Sequence, residues 1–83
     1  MSDEKRIGFV GIIIDNPKRL CTEVNEILSM FGELILARTG LPYRAKGISV
    51  ITLVVEATTD EVGALTGRLG ALEGVSVKSG MSR

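Results

Sequence analysis

The sequence predicts an α+β fold, the ferredoxin-like split sandwich, in which a four-stranded antiparallel sheet carries two helices on one face. The first observation behind this prediction is the order of the elements, because five changes in hydrophobic periodicity divide the 83 residues into β-α-β-β-α-β. The second is that no linker interrupts this order, which indicates a single domain over residues 6–79 between polar tails at 1–5 and 80–83. The third is handedness, since right-handed crossovers place the first and third strands centrally and the second and fourth at the edges.

The first strand is an apolar run rich in β-branched residues over 6–14, and it leads directly into a helix. Asp15 or Asn16 is positioned to cap that helix, and Pro17 suits the first helical position. Gly32 follows the helix, where a left-handed helix stop is expected. Helical spacing places six residues on the apolar face between these limits: Leu20, Cys21, Val24, Ile27, Leu28 and Phe31.

Two further strands follow the first helix. Residues 33–39 (Glu-Leu-Ile-Leu-Ala-Arg-Thr) predict the second strand. A segment over 40–47 contains two glycines and a proline, and these residue types favour a loop. The third strand is predicted over 48–57, where isoleucine, valine and threonine dominate.

The second helix and the last strand complete the order. Thr58 or Thr59 is expected to cap a helix at about 60–73, and the acidic residues of its first turn lie favourably at the positive end of the helix dipole. Gly74 ends this helix, and a short strand over 75–79 precedes the polar tail.

Composition excludes several functional classes. Ten basic and ten acidic residues cancel, which argues against nucleic acid as a partner, because phosphate binding usually requires a basic excess. One cysteine excludes an internal disulfide framework, and a chain without histidine offers no ligand set for zinc, nickel or haem. No apolar run approaches ~18 residues and no signal sequence is recognised, so we expect a cytoplasmic protein without a membrane partner or a cofactor.

The two central strands are apolar on both faces, although helices can cover only one. The first strand presents Ile7, Phe9 and Ile13 on one face and Val10, Ile12 and Ile14 on the other. The third strand presents Ile48, Val50 and Val54 on one face and Ile51, Leu53 and Val55 on the other. An uncovered face of this kind is an apolar patch that marks a partner surface, so we predict a homo-oligomer, either a homodimer or a homotetramer. The alternative is a monomer that exposes aliphatic side chains, as many monomers do.

The second helix carries an unusual stripe of glycines. Gly63, Gly67 and Gly70 fall on one side, away from a predicted core stripe formed by Val62, Leu65, Leu69 and Leu72. Each glycine inside a helix costs about 1 kcal/mol relative to alanine. We therefore expect another helix, sheet or ligand to approach this backbone closely, while relief of crowding or helix bending is the alternative.

Residues that could carry catalysis are scarce. No histidine can act as a base, and Cys21 is predicted to pack on the apolar face of the first helix as an inert thiol. The glycines at 63–70 lie inside a helix, where they cannot form a phosphate-binding loop. We expect no catalytic residues and no enzyme; substrate-assisted chemistry in a pocket between subunits is the one enzymatic alternative that stays open.

Polar groups in the loops are the remaining candidates. Arg38 and Arg44 flank the connection between the second and third strands, and two guanidinium groups there would suit an anionic ligand or a carboxylate of a partner. The turn from Asp15 through Asn16 and Lys18 presents free N–H groups at a helix N-terminus, where a small anion or an amino acid can bind. The alternative for the arginines is a solvated hairpin without a ligand.

Two family resemblances are carried by these motifs. The turn at 15–20 resembles the D-x-P-G-x-L opening of ACT domains, small modules that bind amino acids at subunit interfaces, although Lys18 replaces the usual glycine. The segments 24–28, 38–44 and 63–75 resemble a family of small proteins described as regulators of the iron-only hydrogenase system. This second resemblance covers about residues 6–79.

The hydrogenase-regulator resemblance implies an ACT-like version of the predicted fold, related to the ligand-binding half of the nickel-responsive repressor. It implies a regulatory role and supplies no catalytic residue. We therefore expect an oligomeric, ACT-like sensory or regulatory module that binds a small anionic or amino-acid ligand between its subunits. The alternative is a non-catalytic protein-interaction subunit without a ligand, whose partner is itself or another protein.

Overall fold

The computed structural model describes residues 4–82 and contains the six predicted elements in the predicted order. The parts of the predicted tails at residues 1–3 and 83 lie outside the described residues. Short 3₁₀ turns at Gly32–Leu34 and Arg44–Lys46 flank the second strand. The strands and helices are β1 (Arg6–Ile14), α1 (Pro17–Met30), β2 (Ile35–Tyr43), β3 (Ile48–Ala57), α2 (Thr59–Gly70) and β4 (Val75–Met81).

The four strands form one antiparallel sheet in the order β2-β3-β1-β4, which confirms that β1 and β3 are central. Val10 lies opposite Leu53 and Phe9 lies opposite Val54, so paired residues share a face of the sheet. A β-bulge interrupts the pairing of β2 between Ile35 and Ala37.

The core lies between one face of this sheet and the two helices. Its sheet layer is drawn from alternate positions of β1 and β3: Val10, Ile12, Ile14, Ile51, Leu53, Val55 and Ala57. Its helical layer is drawn from α1 and α2: Leu20, Val24, Ile27, Leu28, Val62, Leu65 and Leu69. Both helices therefore cover the same face, as predicted, and no charged side chain among the described residues is buried.

The two caps begin their helices in different ways. Asn16 is the N-cap of α1, but its side chain makes no capping hydrogen bond, contrary to the predicted side-chain cap. Thr58 caps α2 in a full capping box: the backbone N–H of Glu61 donates to Thr58 Oγ1 (3.1 Å), and the Thr58 N–H donates to Glu61 Oε1 (2.8 Å).

Several predicted boundaries were wrong around the glycines. Gly32 does not take a left-handed conformation; it begins a 3₁₀ turn, and within residues 4–82 only Gly47 (φ 66°) and Gly74 (φ 94°) have positive φ. The predicted loop at 40–47 is mostly strand, because β2 continues to Tyr43 by pairing with the start of β3. Helix α2 ends at Gly70, three residues earlier than predicted, and β4 continues two residues beyond 79.

Cys21 was placed wrongly on the buried face of α1. Its side chain is exposed, since Leu20 and Val24 occupy the inward positions, and Asn25 Nδ2 donates a hydrogen bond to its sulfur (3.4 Å).

Of the helices in residues 4–82, none has the length and the apolar character that a bilayer crossing requires.

Candidate functional site

An open cavity of about 530 Å³ lies between the β1–α1 turn and the connection from β2 to β3. Three of the predicted site residues, Asn16, Lys18 and Arg44, lie in its wall. The other lining residues are Pro17, Pro42, Gly47 and Ile48. Cationic residues from two segments far apart in sequence therefore line one opening.

The β1–α1 turn contributes the first wall. Pro17 fixes the φ angle of the first helical residue, and the Asn16 carbonyl accepts hydrogen bonds from the backbone N–H groups of Arg19 (3.1 Å) and Leu20 (3.0 Å). The Asn16 side chain takes no part in this cap and is exposed beside Lys18 in the first turn of the helix. An amide and an ammonium group are thus presented at the positive end of α1.

The β2–β3 connection contributes the second wall. Arg44 begins a 3₁₀ turn in which its carbonyl accepts a hydrogen bond from the Gly47 N–H (3.1 Å). Gly47 then reverses the chain at φ 66°, a conformation that glycine adopts without strain. Pro42 and Ile48 add apolar residues to the same lining. The lining includes no acidic residue, so its electrostatics favour an anion.

Asp15 and Arg38 do not line this cavity. The Asp15 backbone N–H donates to the Gly74 carbonyl (2.8 Å), which fixes the β1–α1 turn against the connection between α2 and β4. Arg38 Nη2 donates to Asn25 Oδ1 (2.6 Å) and so joins β2 to α1 on the helical side of the sheet. The expectation that Arg38 and Arg44 act together is therefore not supported by their positions.

The glycine stripe of α2 is also separate from the cavity lining. A Cβ atom added at Gly63 or Gly67 would meet nothing within 4 Å, and one at Gly70 would meet only Val77 Cγ1 at 3.6 Å. Packing within the described chain therefore does not require glycine at 63 or 67. The predicted close approach of another molecule to this helix stays a prediction.

Sequence reasoning missed Pro42, Gly47 and Ile48 as wall residues. Their position follows from the strand pairing: Tyr43 pairs with Ile48 and Pro42 pairs with Ser49, and a hairpin of that register brings the ends of β2 and β3 together beside Arg44. Interpreting residues 40–47 as one long loop concealed this pairing.

The second candidate surface is the side of the sheet that faces away from the helices, here called the open face. Six large apolar side chains on it are substantially exposed: Ile7, Phe9, Ile13, Leu41, Tyr43 and Val54. The strand pairing places them on this side, since Phe9 lies opposite Val54 and Leu41 lies opposite Val50. The predicted uncovered apolar face is present.

Metal binding has no support from the part of the chain that the structure describes. Within it, no three cysteine, aspartate or glutamate side chains come together as a possible ligand group.

Comparisons with known proteins identify the family of this sequence and solved structures that share its fold. Residues 6–79 match the family described as "TM1266-like: Iron-only hydrogenase system regulator, putative". The structure of TM1266 from Thermotoga maritima is 38% identical, with 96% of this chain and 100% of that chain covered at a TM-score of 0.92. No curated protein matches the sequence.

Two more distant structures show the fold alone. The ACT domain of the GTP pyrophosphokinase of Chlorobium tepidum is 17% identical, with a TM-score of 0.76 over 95% of this chain and 90% of that chain. CPII, a nitrogen regulatory PII-like protein from Thiomonas intermedia K12 bound to ADP, AMP and bicarbonate, is 15% identical, with a TM-score of 0.52 over 93% and 90% of the two chains. These matches confirm the ACT-like fold and the family resemblance, and the chain belongs to the TM1266-like family of iron-only hydrogenase system regulators.

Proposed function

We propose that this protein is a non-catalytic, homo-oligomeric regulatory module that binds a small anionic ligand in the cavity between the β1–α1 turn and the β2–β3 connection. The observation that carries the proposal is the meeting of Lys18 and Arg44, from separate segments, at one cavity of about 530 Å³. The family description as a regulator of the iron-only hydrogenase system supports a regulatory role.

The lining indicates what kind of anion would fit. A guanidinium group can donate two parallel hydrogen bonds to a carboxylate or phosphate, and an ammonium group adds a point charge. Both cations are exposed, and exposed ion pairs contribute only about 0–1 kcal/mol each, so affinity also requires the apolar contacts of Pro42 and Ile48. The favoured ligand is a carboxylate or phosphate with an apolar portion.

A free amino acid fits this lining less well. Its carboxylate would meet Arg44 or Lys18, but its ammonium group would face no acidic side chain among the residues that line the cavity. The PII-like protein CPII, whose structure holds ADP, AMP and bicarbonate, offers a precedent for anions on a related fold. Anions without an ammonium group are therefore the first ligands to test.

Thermal unfolding of the full chain with a panel of phosphates, nucleotides, carboxylates and amino acids tests the proposal. A ligand at about one hundred times its Kd stabilises the folded state by about 2.7 kcal/mol. For a domain of this size that raises Tm on the order of 10 °C. Absence of a shift with every anion would overturn the proposed ligand binding.

Two variants sharpen this experiment. Arg44→Ala should abolish the ligand-induced shift, because it removes the guanidinium group from the wall. Lys46→Ala is the matched control, since Lys46 is exposed in the same 3₁₀ turn but does not line the cavity. Equal loss in both variants would indicate general electrostatic attraction in place of a site.

The second candidate function is a protein-interaction subunit without a ligand. The open face favours it, because large exposed apolar patches usually mark interaction surfaces. If the oligomer keeps its mass in Arg44→Ala and Lys46→Ala, and no anion raises the Tm, the protein-interaction function would be favoured over ligand binding.

A further inference from the structure

The open face has an apolar centre and charged margins. Phe9, Ile13 and Val54 lie on the two central strands, and Leu41 lies opposite Val50 on the next strand. The register places only two charged residues on this side, Glu56 opposite Ile7 near one end of the sheet and Lys78 opposite Gly11 on the edge strand β4. Covering the centre would therefore bury no charge, which is the usual composition of an interface core.

The Phe9 ring packs against the neighbouring strand β4 at Gly80. It lies opposite Gly80, and a Cβ atom at residue 80 would stand 2.5 Å from Cζ of the Phe9 ring. The ring therefore occupies the space that any side chain at 80 would need, while 57% of its own surface stays exposed. An aromatic side chain ordered before binding loses little rotamer freedom on association, so it is well suited to anchor an interface.

The size and shape of this face fit another sheet. Four strands spaced about 4.8 Å apart and about nine residues long cover on the order of 600 Å². Two such faces together would remove on the order of 1,200 Å² from water, which reaches the lower limit for a stable, specific interface. A gently twisted sheet face whose charged residues lie toward its margins can pack against a copy of itself, and two-fold pairing requires this self-complementarity.

We propose that a second copy of this chain packs its open face against the first, sheet on sheet, with the Phe9 rings in the buried centre. This inference concerns the surface that makes the assembly, and it does not depend on the ligand proposed above. It excludes the glycine stripe of α2 and the exposed edge of β2 as the main contact between the two copies.

Native mass spectrometry and light scattering on the full chain test the proposal with two variants. Phe9→Glu should halve the mass of the assembly, because two carboxylates would be buried in an apolar interface. Met30→Glu is the matched control: Met30 is 59% exposed at the end of α1, close to the exposed fraction of Phe9, and lies outside the open face. It should retain the wild-type mass.

A milder variant covers the case in which Phe9→Glu fails to fold. Ile13→Thr combined with Val54→Thr keeps branching at Cβ and should raise the dissociation constant at least about tenfold, because a hydroxyl group replaces the ethyl group of Ile13 and a methyl group of Val54 in the interface. Circular dichroism confirms that each variant is folded. A monomeric wild type, a folded Phe9→Glu variant of unchanged mass, or a Thr double variant that dissociates like wild type would each overturn the proposal.

Discussion

Glu61 couples the start of α2 to the N-terminal end of the chain. Its Oε1 accepts hydrogen bonds from the Thr58 backbone N–H (2.8 Å) and from Lys5 Nζ (3.2 Å). The backbone hydrogen bond from Thr58, and after it the interaction with Lys5, hold the pKa of the Glu61 carboxyl below its ordinary value of 4.5. The charged form is thus favoured in the folded state.

This pKa shift makes a prediction about stability and pH. A carboxyl group whose pKa is lowered by folding stabilises the protein above its unfolded pKa, and this contribution is lost as the pH falls through the folded pKa. The free energy of unfolding of the wild type should therefore decrease below about pH 4.5 more than that of Glu61→Gln, which keeps a capping side chain but does not titrate. Urea unfolding from pH 7 to pH 2.5 measures the difference, and parallel curves would contradict it.

The contact between Phe9 and Gly80 supports a second prediction. Gly80→Ala places a methyl group where the Phe9 ring lies, and the ring can swing into solvent, so the chain should fold while the proposed sheet-on-sheet dimer weakens. Gly40→Ala is the matched control, because a Cβ there meets nothing within 4 Å and the register places it on the helical side. Light scattering over a dilution series should show that Gly80→Ala dissociates at a higher protein concentration than wild type, whereas Gly40→Ala dissociates as wild type does.

The positions of single residues were predicted well where the order of the chain decided them and poorly where packing did. Asn16 and Lys18 follow β1 directly, so any fold of this order places them at the start of α1. Arg38 and Cys21 depended on details that spacing does not contain: Arg38 donates a hydrogen bond to Asn25 of α1, and Cys21 is exposed while Leu20 and Val24 are buried.

At the scale of elements, α2 carries two glycines, Gly63 and Gly67, that packing among the described residues does not require. Gly67→Ala should raise the free energy of unfolding by about 0.5–1 kcal/mol, since alanine favours the helix and its Cβ meets nothing. Gly74→Ala should instead destabilise by about 1 kcal/mol or more, because its φ is 94° and Leu20 Cδ1 lies 3.1 Å from the Cβ position. Guanidinium chloride unfolding measures both changes.

The same helix tests the expected close approach of another molecule. Gly67→Leu projects a bulky side chain from the exposed stripe, and if the open face makes the assembly, native mass should not change. A lower mass for Gly67→Leu, or a destabilised Gly67→Ala, would show that a partner contacts α2 and would restore the glycine stripe as an interface.

The elements themselves were predictable because the core is simple. Apolar runs rich in β-branched residues mark β1 and β3, helical spacing marks α1 and α2, and right-handed crossovers place β1 and β3 at the centre of the sheet. The end of β2 was not predictable from local residue types. Gly40 and Pro42 favour a loop, but pairing with Ile51 and Ser49 of β3 holds them in the strand.

At the scale of the whole molecule, the cavity and the open face meet at Ile48. Ile48 lines the cavity, and its pairing with the exposed Tyr43 places it at the end of the open face. A second copy seated on the open face would therefore lie beside the opening between Lys18 and Arg44. Ligand binding and assembly would then share one boundary.

This geometry predicts thermodynamic coupling between the ligand and the dimer. An anion that raises Tm should also lower the dimer dissociation constant, and by linkage the dimer should bind that anion more tightly than the monomer does, by the same factor. Couplings of this kind are typically about 5–150-fold. Sedimentation equilibrium with and without the anion measures the factor.

Arg44→Ala should form the dimer as wild type does but lose its response to the anion, whereas Phe9→Glu should bind the anion weakly and stay monomeric. If the anion binds wild type and leaves the dissociation constant unchanged, the cavity and the open face act independently, and the ligand is held within one chain.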